Sequence, residues 1–519
     1  MTILIPLGGR GERFSRARYA YPKALVPAGG RPVLFWLLRQ LEEQVAASGE
    51  EVYIAHSPEY TPLRLEDQVR HTFPRLTVHF WELQQATRGA AETVLFALRH
   101  LPVPHGPILC LDCDNFYTCN ILDMWRQRNA IFTVFDDNKD PMYSYVDGDG
   151  GTVTRIVEKE KISNYACTGA YGFACSHALA AACERIIQNN IKDKQEFYLS
   201  TVIQDMIRHQ EADFVHLSIH KEHYVCLGTP LQVRTFSTDP RFHVQGQRYC
   251  FDLDNTLVTH PRVAGDYSTV QPIPHAIAFL RCLKARGNTI IIYTARRMRT
   301  HAGHEGRVLA DVGAVTLDTL RRLDIPFDEI YFGKPHADVY IDDKALNAYG
   351  DLEKGTGIYP SAGSLPPRHF HRLTGGSSVH TYRKEGGDLS GEIFYYRHMP
   401  PELRPMFPAM TNAHAGGRDW FEMEKVQGVT ASSLYLSQEM TTEQLLRLLS
   451  ALQRIHATPS TASGAGGMCA GAMYANYAAK LEARYKSHDY SVFDGAQDVY
   501  QTLLRLSLIH ISEPTRQIV

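Results

Sequence analysis

Between Ile3 and Lys23 the chain reads ILIPLGGRGERFSRARYAYPK, and these residue types belong to an anion site. Gly8, Gly9 and Gly11 let the backbone approach phosphate oxygens closely, and successive N–H groups ahead of a helix cradle them. Arg13 adds a bidentate donor and Lys23 a point charge, which together suit a polyphosphate. A second stretch, ILCLDCDNF, carries Asp112 and Asp114 at i and i+2, on one face at the carboxyl end of an apolar strand. Open α/β sheets place their ligands there, and hard carboxylate oxygens suit Mg²⁺, which typically bridges protein carboxylate and substrate phosphate. A third stretch, YCFDLDNTLV, sets Asp252 and Asp254 at another strand end, with Thr256 following. Thr294 closes NTIIIYT, Lys334 sits in Gly333-Lys334-Pro335 after EIYF, and Asp342-Asp343 follows VYI. Four successive strand ends in this segment thus carry Asp, Thr, Lys and Asp-Asp.

The elements that must hold these residues alternate as in an α/β protein. Ile3 to Leu7 is an apolar run that reads as a buried parallel strand, broken at once by the glycine turn. VLFWLLRQLEEQV reads as an amphipathic helix, while EVYIAHS, Leu76 to Phe80 and Pro107 to Leu111 read as strands. VTRIVEKEKISNYACTGAYGF reads as a strand pair linked by a polar loop. At 519 residues the chain exceeds one core, and the usual domain size implies about three domains. Composition shifts through STDPRFHVQGQR into a second α/β segment, and the proline- and glycine-rich YPSAGSLPPRHF opens a third. The expected division is 1–240, 245–360 and 366–505. Between Thr294 and Lys334 there is room only for a short helical insertion, so the second site should be open or minimally capped.

A net charge of −2 with 44% hydrophobic residues excludes bulk disorder and gives no basic stripe for nucleic acid. The chain starts on a core strand without a signal peptide and has no run of about eighteen apolar residues, so a cytoplasmic enzyme without membrane insertion is expected. Cys110 and Cys113 lack a second pair at zinc spacing and read as free thiols. Nothing in the sequence fixes the oligomeric state.

The order GGxGxRF, then PKAL, then GRPVL resembles the signature of the sugar-phosphate nucleotidylyltransferases, and in detail their phosphocholine cytidylyltransferase-like branch. The resemblance implies a Rossmann-like domain that joins a nucleoside triphosphate, CTP by preference, to a phosphorylated small molecule with release of pyrophosphate. On that pattern Gly8, Gly9 and Gly11 hold the nucleotide, Arg13 binds its triphosphate and Lys23 binds reactant phosphates. Gln85 stands at the base-reading position and Gly89 at the turn that contacts the base. Asp114 matches the metal-binding aspartate, with Asp112 orienting it. Glu158-Lys159 matches the family's EK motif, and Thr168-Gly169-Ala170-Tyr171 its alcohol-phosphate wall. HYVCLGTPLQV resembles the last motif, but Cys226 occupies the place of the second metal-binding aspartate. Another carboxylate, such as Asp205, would have to substitute.

The four strand ends from Asp252 to Asp343, with TARRM and GKP, resemble the haloacid-dehalogenase-like phosphatases of the capsule-biosynthesis branch. By that resemblance Asp252 is the nucleophile, Asp254 the acid/base, and Thr294 and Lys334 hold the transferring phosphoryl group. Mg²⁺ would sit on Asp252, Asp254, Asp342 and Asp343. In the third segment Arg383 or Lys384, Gly391-Glu392 and LLSALQRIH resemble the amino-terminal part of the choline/aminoglycoside kinase-like fold. A strand cation would there pair with Glu392 to hold ATP phosphates, and the helices should expose an apolar face. LSLIHISEPTR, within 506–519, reads as a translated sequencing adapter. The whole implies a multifunctional enzyme of surface-polysaccharide precursor synthesis. A phosphatase whose front domain is a nucleotide sensor is the alternative.

Overall fold

The computed structural model describes residues 2–45, 49–101, 106–138, 141–149, 151–193, 195–359, 371–375, 381–386, 389–414, 419–424 and 440–458, with a few positions between 431 and 502. The adapter-like 506–519 and the linker 360–370 lie outside the described residues.

The front of the chain is a mixed α/β domain. It runs β1 (Thr2–Leu7), α1 (Glu12–Arg16), a ribbon of β2 (Pro27–Ala28) and β3 (Arg31–Pro32), α2 (Val33–Val45), β4 (Glu51–His56), α3 (Leu65–Thr72), β5 (Thr77–Glu82) and α4 (Ala90–Leu98). It continues with β6 (Ile108–Leu111), β7 (Asn115–Tyr117), α5 (Ile121–Trp125), β8 (Ala130–Phe135), β9 (Ser144–Asp149), β10 (Thr152–Glu158) and β11 (Tyr165–Phe173). α6 (Ser176–Gln188), α7 (Leu199–Arg208), β12 (Phe214–Ile219), β13 (Tyr224–Cys226) and α8 (Pro230–Phe236) complete it. The large sheet has the order β5-β4-β1-β6-β11-β8-β12-β10-β9, and β13 pairs with β7 beside it.

Alternation explains the layers. In β1, Ile3, Ile5 and Leu7 point into a core with Leu34 and Leu38 of α2, while Leu4 points into the opposite core with Val94 of α4 and Val202 of α7. β1 runs parallel to both β4 and β6, so the glycine turn and Asp112 emerge side by side at carboxyl ends. The expected pairing of the strands around EKEKISNY differs: β10 pairs with β9 and β12, β11 with β6 and β8, and a separate strand, β9, lies between their ends. Tyr145 of β9 is fully buried, and a fully enclosed aromatic fixes that strand in place.

A second parallel sheet consists of β14 (Arg248–Phe251), β15 (Thr289–Tyr293) and β16 (Glu329–Tyr331), with α9 (Pro274–Ala285), α10 (Glu305–Arg322) and the short α11 (Leu352–Thr356). The fourth strand expected at VYI does not form: Val339, Tyr340 and Ile341 are unpaired and exposed, Ile341 at 97%. A third sheet is antiparallel, β17 (His371–Gly375), β18 (Thr381–Gly386), β20 (Trp420–Glu424) and β19 (Met410–His414) in that order, with α12 (Ser390–Arg397) and α13 (Thr442–Ala457). As expected of this segment, α13 exposes Leu445, Leu446, Leu449 and Leu452.

Candidate active sites at two sets of strand ends

At the end of β1, Gly8 has no room for a side chain, since a Cβ would lie 2.2 Å from Thr93 Oγ1. Gly11 adopts φ +59°, opens α1 and would press a Cβ to 3.1 Å from that of Lys23. The loop therefore brings Lys23 back under α1. Its Nζ forms an ion pair with Asp114 Oδ2 at 2.9 Å. Burial opposes the lysine's charge, but Asp114 and Asp112 outweigh it and raise the pKa, so Lys23 stays cationic.

Asp114 faces a cavity of about 160 Å³ whose walls include Arg13, Asp112, Glu158, Gly169, Tyr198 and Cys226. Asp112 and Asp114 reach it from the turn between β6 and β7 rather than from one strand face. Gly169, at φ +79°, lets β11 approach so closely that a Cβ would meet Asp112 Oδ2 at 2.5 Å; its carbonyl accepts from Asp112 N at 2.8 Å. Burial first, and then repulsion by Asp114, raise the pKa of Asp112 above the ordinary carboxylate range. Glu158 is buried and accepts from the hydroxyls of Ser144 and Ser200. Lys159 donates to the Tyr198 hydroxyl at 2.9 Å. Among the described residues Arg13 has no carboxylate partner, and it lines the cavity as an available cation.

The pairing of β13 with β7 sets Cys226 opposite Asn115, and a Cβ on Gly228 would sit 2.4 Å from Asp114 Oδ2. The cysteine thus lines the same cavity as Asp114. Burial, then Asp114, push its thiol up to about 11, so it stands protonated at neutral pH. Asp205 does not replace it: its carboxylate is held by Arg185 on the α6–α7 side and is not part of the cavity wall.

Gln85 falls elsewhere, while Ala90, next to Gly89, lines the Asp114 cavity. Gln85 lines a separate cavity of about 410 Å³ with Phe96, Arg99 and Glu184. Gly89, at φ +148°, is explained by the backbone of Phe197, which a Cβ would meet at 2.5 Å. Gly9 has open space around it.

In the second sheet, Lys334 Nζ pairs with Asp252 Oδ1 at 3.0 Å, and Lys334 N donates to the Thr294 carbonyl at 3.3 Å. Both oxygens of Asp254 accept from Arg296, at 2.7 to 3.1 Å, and the Arg296 side chain is wholly buried. Arg296 was not singled out by the sequence; TARRM offered two adjacent arginines with no periodicity to choose between them. Asp252 and Asp254 after β14, Thr294 after β15 and Lys334 after β16 thus stand at three neighbouring strand ends. Asp342 and Asp343 do not join them: both are exposed, and Asp342 Oδ1 caps a turn at Lys344 N at 2.7 Å. The missing fourth strand is the reason. Among the described residues no three His, Cys, Asp or Glu side chains gather as a metal site.

In the third sheet, Lys384 Nζ on β18 pairs with Glu392 Oε2 on α12 at 2.5 Å, while Arg383 pairs with Glu422 at 2.8 Å. Of the two cations considered, Lys384 is the partner of Glu392.

Residues 3–158, from β1 to the end of β10, match the family model of the MobA-like NTP transferase domain. No curated protein matches the chain. Among solved structures, the chain is similar to a nucleoside-diphosphate-sugar pyrophosphorylase from Vibrio cholerae RC9, at 19% identity and TM-score 0.40 over 45% of this chain and 98% of that one. An inositol-1-phosphate CTP transferase from T. maritima is similar at 11% identity and TM-score 0.37, over 44% and 90% of the two chains. A CTP:phosphocholine cytidylyltransferase from Streptococcus pneumoniae is similar at 15% identity and TM-score 0.36, over 45% and 96%.

Proposed function

We propose that the front domain is a nucleotidyltransferase that joins a nucleoside triphosphate to a phosphorylated small molecule, a sugar phosphate or a phosphocholine-like alcohol phosphate, and releases pyrophosphate. The observation that carries this reading is the Lys23–Asp114 pair at 2.9 Å, beside a cavity that Arg13 also lines, at the end of the strand and glycine turn. The match of residues 3–158 to an NTP transferase domain supports it. The acceptor's phosphate oxygen attacks the α-phosphorus in line as the bond to the pyrophosphate oxygen breaks. Arg13, Lys23 and the amides of the glycine turn position the two anions and offset their charge, which is the main contribution a protein makes to such transfers. No covalent nucleophile takes part. CTP is the nucleotide we favour.

The donor set bears on Mg²⁺. Three carboxylates, Asp112, Asp114 and Glu158, line the cavity beside a neutral thiol. Glu158 is taken up by the Ser144 and Ser200 hydroxyls, which leaves Asp112 and Asp114, and Mg²⁺ commonly binds through one or two carboxylates with water and substrate phosphate completing its shell. These residues fit the ion. When bound, it would neutralise charge on the phosphates.

The second domain we read as a phosphohydrolase for a small phosphorylated metabolite. Asp252 attacks phosphorus as the bond to the alcohol oxygen breaks. Asp254, once its contact with Arg296 gives way and it has taken up a proton, protonates the leaving oxygen, and water then hydrolyses the aspartyl phosphate, returning a proton to Asp254. The Asp252–Lys334 contact supports this, as Lys334 would neutralise the bound phosphoryl group. The Lys384–Glu392 pair supports a phosphate-holding role for the third sheet. A role of the whole in surface-polysaccharide precursor synthesis agrees with these chemistries. The alternative, a phosphatase with a nucleotide-sensing front domain, draws on Cys226, a protonated thiol beside Asp114.

Pyrophosphate release should be measured with each NTP against a panel of sugar phosphates and phosphocholine. Turnover with at least one pair, reduced about 100-fold in Arg13→Ala, supports transfer. Nucleotide binding without turnover selects the sensor.

A further inference from the structure

The loop that joins Arg13 to Lys23 is held from outside its own domain. After α1, Ala17 is buried and Arg18 takes a left-handed φ of +59°, a conformation that a non-glycine residue keeps only when its surroundings enforce it. Within the loop, Arg18 N donates to the Ser15 carbonyl and Tyr19 N to the Phe14 carbonyl, both at 3.0 Å. The Phe14 and Tyr19 rings also meet edge to face at 5.3 Å, and further restraints come from the end of the second domain. Lys354 Nζ, on α11, donates to the Ala17 carbonyl at 3.0 Å and stands 5.6 Å from the centre of the Tyr19 ring. The Tyr359 and Tyr19 hydroxyls meet at 2.8 Å. α11 is itself fixed to the front domain, since Gly29 N and Gly30 N donate to the carbonyls of Gly357 and Thr356 at 2.7 and 3.1 Å.

We propose that Lys354 is a positioning residue for the nucleotide pocket: by holding the Ala17 carbonyl it sets the loop that presents Arg13 and Lys23 to a triphosphate. A lysine bond to a carbonyl is charge-assisted, and it is partly shielded here, with the Lys354 side chain only 26% exposed. Without it, Arg18 has less to keep it in the left-handed region, and the loop relaxes. The two cations then meet a bound triphosphate less often in the right geometry. Lys354 touches neither substrate nor reacting atoms, so its effect falls on nucleotide affinity. The second domain is thereby a structural part of the front pocket.

This inference rests on the transferase reading, and two measurements separate them. Hydrogen–deuterium exchange is followed on the full-length chain in peptides spanning 13–23, for the unaltered protein and for Lys354→Ala and Lys354→Arg. KM and kcat for the NTP, with CTP tested first, are determined in parallel. Lys354→Ala should speed exchange in that loop but not in β15, raise KM about tenfold with kcat within about twofold, and shift the melting temperature by no more than about 3 °C. Lys354→Arg should restore most of both values. Unchanged exchange overturns the proposal, and so does faster exchange with unchanged KM. If the unaltered chain turns over no NTP, the transferase reading falls, and the exchange result alone decides whether Lys354 holds the loop.

Discussion

Asp112 is the residue whose titration should be felt in stability. Burial and Asp114 raise its pKa in the folded chain, so the folded state binds this proton more tightly than the unfolded state does. Stability attached to that proton is present at acid pH and is lost as pH rises from the ordinary carboxylate range through the raised value. Asp112→Asn should therefore stabilise the protein at pH 8 and do so much less at pH 4, as read from urea midpoints at both. Cys226 offers the complementary change. Cys226→Asp adds a further charged oxygen ligand beside Asp112 and Asp114, which should tighten Mg²⁺ binding in calorimetry and lower stability in metal-free buffer by about 1–3 kcal/mol. Cys226 was legible from its place in the HYVCLGTP motif. Arg296 was not, because its value lies in reaching Asp254, a partner 42 residues away in sequence.

At the scale of elements, strands and helices with long apolar patterns were legible: β1, α2 and β4 lie where their residues place them. Short segments were not. VYI is a three-residue apolar run, and such a run fixes neither its state nor its partner; here it stays unpaired and leaves Asp342 and Asp343 exposed. β9 was missed because SYVDGD carries polar residues along half its length. Gly89, expected at the base, also packs against the Phe197 backbone at the start of α4, which leaves no room for a side chain. Gly89→Ala should accordingly cost about 3 kcal/mol in urea denaturation, a packing and backbone penalty that would appear with or without nucleotide. A loss of nucleotide affinity alone, at unchanged stability, would contradict that account.

Across the whole molecule, two strand-end sites lie on separate sheets, and single changes should separate them. Asp252→Asn should abolish phosphatase turnover on small phosphomonoesters while leaving pyrophosphate release intact, since the two sites share no residue. Folding is a different matter. Ile358 belongs to the core of the second sheet and the next residue, Tyr359, to the core of the first. Arg286 of the second domain also bonds the carbonyls of Ser237 and Tyr359. The polar stretch STDPRFHVQGQR looked like a joint in the sequence, but sequence composition does not reveal a closure made from more than a hundred residues downstream. Calorimetry should show these two domains melting together in one transition. Heredity meets the same constraint: a recombination event that exchanged the front domain at the apparent boundary near 240 would leave behind Lys354 and Tyr359, so the segment that could be inherited as a working unit is discontinuous along the gene.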